Sequence, residues 1–360
     1  CRVAGPRRAG QAAGQVLARE PGAVAAEIGT AETQDAEMTR VVAVHATGGP
    51  EVLSLEDRTI GAPGPGEVRI RQTAIGLNFI DTYQRSGLYP LPLPFVAGNE
   101  AAGVVTALGE GVSEVKVGDR VCYQGAVGAY AEERLVPAAR LVPIPEGVDD
   151  RTAAAVLLKG LTAYYLLFKT WPVRKGETIL WHAAAGGTGL IATQWAKAIG
   201  ATVIGTAGGP DKVAVAGAHG CDHVIDYRAE AFAPRVRELT GGRGVDVVYD
   251  GVGKATFEGS IDSLRPRGLL VSFGNASGVV GIPDITLLSR KGSLYVTRPT
   301  GTHYFVERSD LLEGARALFG AIESGAIRVE IGRTFPLAEA AEAHRALEAR
   351  QTTGSVVLLP

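Results

Sequence analysis

Residues 179 to 189 read Ile-Leu-Trp-His-Ala-Ala-Ala-Gly-Gly-Thr-Gly, an apolar strand running into small residues. The spacing Ala184-x-Gly186-x-x-Gly189 is that of a dinucleotide-binding turn with alanine at its first glycine. In such a turn Gly186 lets the backbone approach a pyrophosphate, and Gly189 lets the next helix pack closely on the strand. Gly187 and Thr188 lie at the opening of that helix, whose free N–H groups and positive dipole end suit phosphate.

Which dinucleotide is bound depends on the end of the second strand, where a carboxylate would grip the free hydroxyls of an adenine ribose. Here the stretch is Gly205-Thr206-Ala207-Gly208-Gly209, with no acid before Asp211 and with Lys212 close by. A 2′-phosphate is attracted by a lysine and repelled by an acid, so NADPH is expected over NADH. Tyr227, after the third strand, can lie beside the same phosphate. The alternatives are a solvated lysine at a helix start and a tyrosine packed on the rim.

The elements around this turn divide the chain in two. From Met38 to about Ala138, short apolar or alternating runs such as "VVAVHA", "EVRIRQTAIGL" and "AYAEERLVP" are separated by Gly and Pro turns, the pattern of a compact β-rich unit. After "RLVPIPEGVDD" comes a long helical run, "DRTAAAVLLKGLTAYYLLFKT", stopped by Pro172. From Thr178 strands and helices alternate, predicting crossover units on a parallel sheet with "SLYVTRP" as its sixth strand. Two helices, near 308 to 323 and 337 to 350, and a β-like ending return to the first unit. Residues 1–37 contain no aromatic residue and little apolar periodicity, and they read as a dispensable leader, disordered or non-native, with a targeting peptide as the alternative.

Further along, "GLNFIDTYQRSGLYPLPLPFVAGNEAAGVV", "LLKGLTAYYLL", "WHAAAGGTGLIATQWAKAIGA", "VVYDGVG" and "GLLVSFGNASG" occur in order. From Met38 to Pro360 the chain resembles the quinone oxidoreductases of the zinc-independent medium-chain dehydrogenase/reductases, the zeta-crystallin-like group. The resemblance implies an α/β protein: a GroES-like catalytic domain (38–158 and 297–360) and a doubly wound Rossmann domain (159–296) that binds NADPH. It also implies a homodimer joined through the Rossmann sheets, with quinone reduced in the cleft between domains.

Zinc-dependent relatives carry Gly-His-Glu where this chain has Gly98-Asn99-Glu100, and a cysteine near Asn78. Neither ligand exists here, and the six histidines are scattered. His219 and His223 have helical spacing, but Gly220 is expected to end the helix between them; no metal site is expected. Without a Lewis acid, alcohol oxidation is disfavoured, whereas a quinone is already electrophilic.

The resemblance places Asn78 and Tyr83 at the nicotinamide ribose and the substrate, where either can hydrogen-bond the reduced oxygen. Tyr83 is then a proton donor, or else a buried tyrosine with a satisfied hydroxyl. Asp81 reads as a structural residue at a helix start, and His182 as a structural polar residue ending a strand. Gly251 after the fourth strand, and Phe273, Gly274 and Asn275 after the fifth, lie at carboxyl ends of parallel strands, where ligands sit. Thr162 and Arg350 resemble cofactor contacts of the family.

The expected reaction is direct hydride transfer from NADPH to a quinone. Two alternatives remain: reduction of 2-alkenals or enones on the same fold, and a non-enzymatic nucleotide- or RNA-binding role. A net charge of -2 gives no general pull toward nucleic acid or acidic membranes. Three cysteines suit a reducing cytoplasm better than a disulfide framework.

Overall fold

The described residues open on β1 (Glu37–Val44), which turns back into β2 (Leu53–Ile60) in an antiparallel register pairing Val44 with Leu53. These come from a computed structural model that describes residues 37–282 and 284–360. The leader reading therefore lies outside the described residues except at Glu37, which is already a strand residue opposite Ile60. β2 escapes the sequence pattern because "LSLEDRTI" is largely polar, as befits an edge strand.

β3 (Glu67–Leu77) alternates half-exposed and buried residues at first, then turns wholly buried. α1 (Phe79–Arg85), β4 (Phe95–Val96), β5 (Glu100–Leu108), β6 (Arg120–Gln124), β7 (Glu133–Pro137) and β8 (Val142–Pro143) follow. β4 pairs with β1, and the other strands build a mixed sheet around β3. The wholly buried end of β3 lies under α2 (Asp150–Tyr164), whose Asp149 cap accepts from the Thr152 N–H at 2.8 Å. α2 runs through the 158/159 junction without a break and continues as a π-helical turn, Tyr165–Thr170, before Pro172.

Six parallel strands then form a third, separate sheet. They are β9 (Thr178–Trp181), β10 (Thr202–Ala207), β11 (His223–Asp226), β12 (Val245–Asp250), β13 (Leu264–Ser272) and β14 (Tyr295–Thr297), in the order β11-β10-β9-β12-β13-β14. This is the doubly wound order, with its reversal between β9 and β12. The crossovers use α3 (Gly187–Ile199), α4 (Pro210–Ala218), α5 (Phe232–Leu239), α6 (Phe257–Ser263) and α7 (Thr286–Arg290). His182 holds neighbouring segments together, bonding Thr206 Oγ1 at 2.9 Å and Ser260 Oγ at 3.0 Å, the structural role expected of it.

α8 (Arg308–Glu323) packs on α2, and β15 (Ile331–Pro336), α9 (Ala340–Glu348) and β16 (Ser355–Leu359) carry the chain back. β16 lies antiparallel to β3 and parallel to β15, so the tail completes the mixed sheet around β3. Among the described residues, no helix is long and apolar enough to cross a membrane.

Candidate functional site

The glycine turn is shaped by its neighbours. Ala183 takes a positive φ of 54°, and the Gly186 N–H closes the turn onto Ala183 O at 2.9 Å. A Cβ on Gly189 would stand 2.5 Å from Ala183 O, so this position permits the close helix-strand approach expected of it. A Cβ on Gly186 would meet only Ala183 O, at 3.2 Å, leaving its other side open to a ligand. Alanine is tolerated at 184 because residue 205 is glycine: a Cβ there would lie 2.8 Å from Ala184 Cβ. Gly187 makes room for the stem of Lys159, whose Cδ would be 2.8 Å from an added Cβ. Thr188 is half-buried in the first turn of α3. The returning tail flanks the turn, with the Gly354 N–H on Ala185 O at 3.1 Å.

At the end of β10 three cations gather. Lys212 Nζ donates to Arg350 O at 2.7 Å, while burial, and then the nearby Arg228 and Arg350, hold its pKa below the usual lysine range. Asp226 lies among them and accepts from the N–H groups of Gly209 and Arg228 at 3.0 and 2.9 Å. Gly208 leaves space for Tyr227, whose hydroxyl would stand 2.4 Å from an added Cβ, and Tyr227 itself is 40% exposed. Sequence reasoning missed Arg228; its place directly after Tyr227 is the signal that was there to use.

The third group bridges the mixed sheet and the parallel one. Phe273 and Gly274 follow β13, and Gly274 lies so close to Gly251 that a Cβ would be 2.2 Å from Gly251 O. Phe273 packs on Trp181 with ring centres 5.5 Å apart. The Asn275 N–H donates to Tyr83 Oη at 3.1 Å, so the phenol keeps its own proton to donate. Burial, chiefly, raises the Tyr83 pKa above the usual phenol range. Tyr89 and Arg298 belong to the same group and carry no spacing signal. Tyr89 Oη accepts from Asn275 Nδ2 and from Arg298 Nη2, each at 3.0 Å. Thr162 is half-buried on α2 with its hydroxyl on Leu158 O at 2.8 Å.

Beneath α1 lies a buried polar network. Asp81 caps α1 by accepting from the Asn78 N–H at 2.8 Å, and also accepts from Asn99 Nδ2 at 2.6 Å and Tyr130 Oη at 3.0 Å. This is the structural role expected of Asp81. Burial outweighs these bonds and pushes its pKa up to about 6. Tyr130 meets His344 Nε2 at 3.0 Å; burial first, then Arg85, hold His344 down to about 3. Arg85 reaches His344 Nδ1 at 3.0 Å and pairs with Glu348 at 2.7 Å.

The positions that bind zinc in the metal-dependent relatives do not fit zinc here. Asn78 Nδ2 donates to Glu100 at 2.8 Å, Asn99 Nδ2 to Asp81, and the Lys159 ammonium lies 3.2 Å from Glu100. Amide nitrogens and an ammonium offer no lone pair to a cation, and among the described residues no thiolate or imidazole converges on them. α4 stops at Ala218, Gly220 takes a φ of +94°, and His223 opens β11, which separates His219 from His223 as expected.

Comparison with known proteins agrees with this geometry. Residues 219–358 match the family "Zinc-binding dehydrogenase", and residues 64–146 match "Alcohol dehydrogenase GroES-like domain". A quinone oxidoreductase of Pseudomonas aeruginosa is 56% identical over 325 residues, which is 90% of this chain and 100% of that protein. A 2-haloacrylate reductase of a Burkholderia species is 48% identical over 332 residues, 90% of this chain and 99% of that protein. The structure of Escherichia coli quinone oxidoreductase complexed with NADPH superposes with a TM-score of 0.88 at 49% identity, covering 89% of this chain and 100% of that one. On the ordered motifs, the doubly wound sheet and these likenesses, the chain belongs to the quinone oxidoreductase family of the zinc-independent medium-chain dehydrogenase/reductases.

Proposed function

We propose that this protein is an NADPH-dependent quinone reductase that transfers hydride directly, without a metal ion. The observation that carries the reading is the cation cluster of Lys212, Arg228 and Arg350 at the end of β10, beside a turn open at Gly186. Three positive charges, outnumbering Asp226 and the exposed Asp211 at the start of α4, favour a dianionic 2′-phosphate over free ribose hydroxyls.

NADPH supplies the hydride when bound. Gly186, Gly187 and Thr188 hold the pyrophosphate at the N-terminus of α3, with Ala184 and Gly189 keeping the turn tight. Lys212, Tyr227, Arg228 and Arg350 hold the 2′-phosphate, with Gly208 giving Tyr227 room. Thr162, Asn78, Gly251, Phe273, Gly274 and Asn275 line the nicotinamide half. Tyr83 holds at Oη the one proton that hydroquinone formation takes up after hydride transfer, and solvent is the other source of that proton. On this reading residues 38–158 with 297–360 shape the acceptor side of the cleft, and residues 159–296 bind the nucleotide.

The oligomer we propose is a homodimer through the Rossmann sheets. β14 is an edge strand with Tyr295 59% exposed, and Val279, Ile285 and Val306 are more than half exposed nearby in sequence. Sedimentation equilibrium tests it. A cytoplasmic location rests on cysteine usage alone.

The likeness to a 2-haloacrylate reductase favours one second reading, reduction of activated alkenes. NADPH oxidation against 1,4-benzoquinone and a short 2-alkenal, with NADH as control, separates the two. NADPH binding without turnover on either acceptor would favour a non-enzymatic role, and single-stranded RNA binding is then the next measurement.

A further inference from the structure

The amide of Asn78 is oriented by the charges behind it. Glu100 is fully buried, and its carboxylate accepts from Asn78 Nδ2 at 2.8 Å, the Leu158 N–H at 2.5 Å and Lys159 Nζ at 3.2 Å. A carboxylate accepts and cannot donate, so the Asn78 NH2 must face it. Gly76 O, 3.4 Å from the same nitrogen, acts in the same direction. The remaining polar atom of the side chain is Oδ1, an acceptor. Lys159 sets its ammonium against this carboxylate, and its own side chain is 8% exposed beneath Gly187.

We propose that the buried Glu100–Lys159 pair is a positioning device that makes Asn78 an acceptor-only group of the active site. Asn78 then reads a donor, such as a ribose hydroxyl of the nicotinamide half, and repels a developing oxyanion. Of the two sequence candidates for bonding the reduced oxygen, only Tyr83 can donate. This revises the expectation that either could serve.

The inference rests on the NADPH reading, and a thermodynamic cycle separates the two. Glu100→Gln/Lys159→Met removes both charges together and leaves Asn78 free to turn its amide. NADPH affinity, read by nicotinamide fluorescence, should weaken about tenfold in this variant, the scale of one good hydrogen bond. In an Asn78→Ala background the same pair of changes should weaken it less than about twofold, because the group they position is gone. Equal losses in both backgrounds, or no loss in either, overturn the proposal. If the double variant does not fold, Glu100→Asp carries the same comparison, since it keeps the charge and withdraws the carboxylate from Asn78. Wild-type protein that binds no NADPH would instead sink the cofactor reading, a different outcome.

Discussion

At the end of β10, Lys212, Arg228 and Arg350 gather like charges that outnumber the neighbouring carboxylates Asp226 and Asp211. Beneath α1, by contrast, Arg85, Lys159, Asp81 and Glu100 bring opposite charges together in a buried network, with Glu348 at its exposed edge. The first cluster is open: Lys212 is pushed toward losing its proton, and Tyr227 is exposed. The second is sealed, with no buried side-chain polar atom left unpartnered among the described residues. Like charges held together without compensation mark a place that a ligand completes. Charges that compensate one another hold position instead, which is the role of the elements carrying Asn78 and Tyr83.

Breaking each cluster should therefore give different symptoms. Arg85→Ala leaves the buried His344 without the donor at its Nδ1 and Glu348 without its partner, and should cost about 2–3 kcal/mol of stability in urea unfolding. Lys212→Met/Arg228→Met should leave the unfolding midpoint nearly unchanged and lower the NADPH-over-NADH preference in kcat/KM about a hundredfold. A large stability loss there would erase the contrast between the clusters.

The pH response of the sealed network sharpens the comparison. Folding raises Asp81 from 3.8 to about 6 and lowers His344 from 6.5 to about 3. Between pH of about 4 and 6 the folded state keeps a proton on Asp81 that the unfolded chain has lost, so this group makes stability fall as pH rises. Over the same window the unfolded chain holds a proton on His344 that the folded state lacks, so His344 makes stability rise. The two slopes oppose and nearly cancel. Asp81→Asn should expose a rise of about 1.4 kcal/mol per pH unit relative to wild type, and His344→Gln a fall of similar size. Unfolding free energies at pH 4.5 and 5.5 check both; variants that track wild type in parallel would remove the assignment.

Tyr83→Phe should have the smallest effect, about a tenfold loss in kcat at most, because water can also protonate the product. Since burial raises the Tyr83 pKa, kcat should show no loss from phenol ionisation up to pH of about 10. A steep fall at pH 8 would point to another group.

Much of the open cluster is legible in the chain. Glycines at 186, 187, 189 and 208, Lys212 and Tyr227 stand in a repeated strand-helix rhythm, where local spacing and chemistry coincide. The sealed network is far less so: Asn99, Tyr130, Lys159 and His344 come from distant segments and carry no common spacing. The polar β2 went unread because an exposed edge strand lacks the apolar alternation that marks a half-buried one. The junction set at 158/159 crosses an unbroken α2, since a helix buried against the mixed sheet on one side and against α3 and α8 on the other shows no change of composition where its neighbours change.

By itself the sequence determined the nucleotide turn, the six-strand alternation and the lack of soft metal ligands at 78 and 99, because each follows from residue type and short-range spacing. Only the tertiary structure decided that Glu100 faces Asn78, that Lys159 lies under Gly187, and that Arg228 and Arg350 meet at Lys212. Those contacts join residues far apart along the chain, and their geometry exists only once the mixed sheet, α3 and α8 have packed on α2.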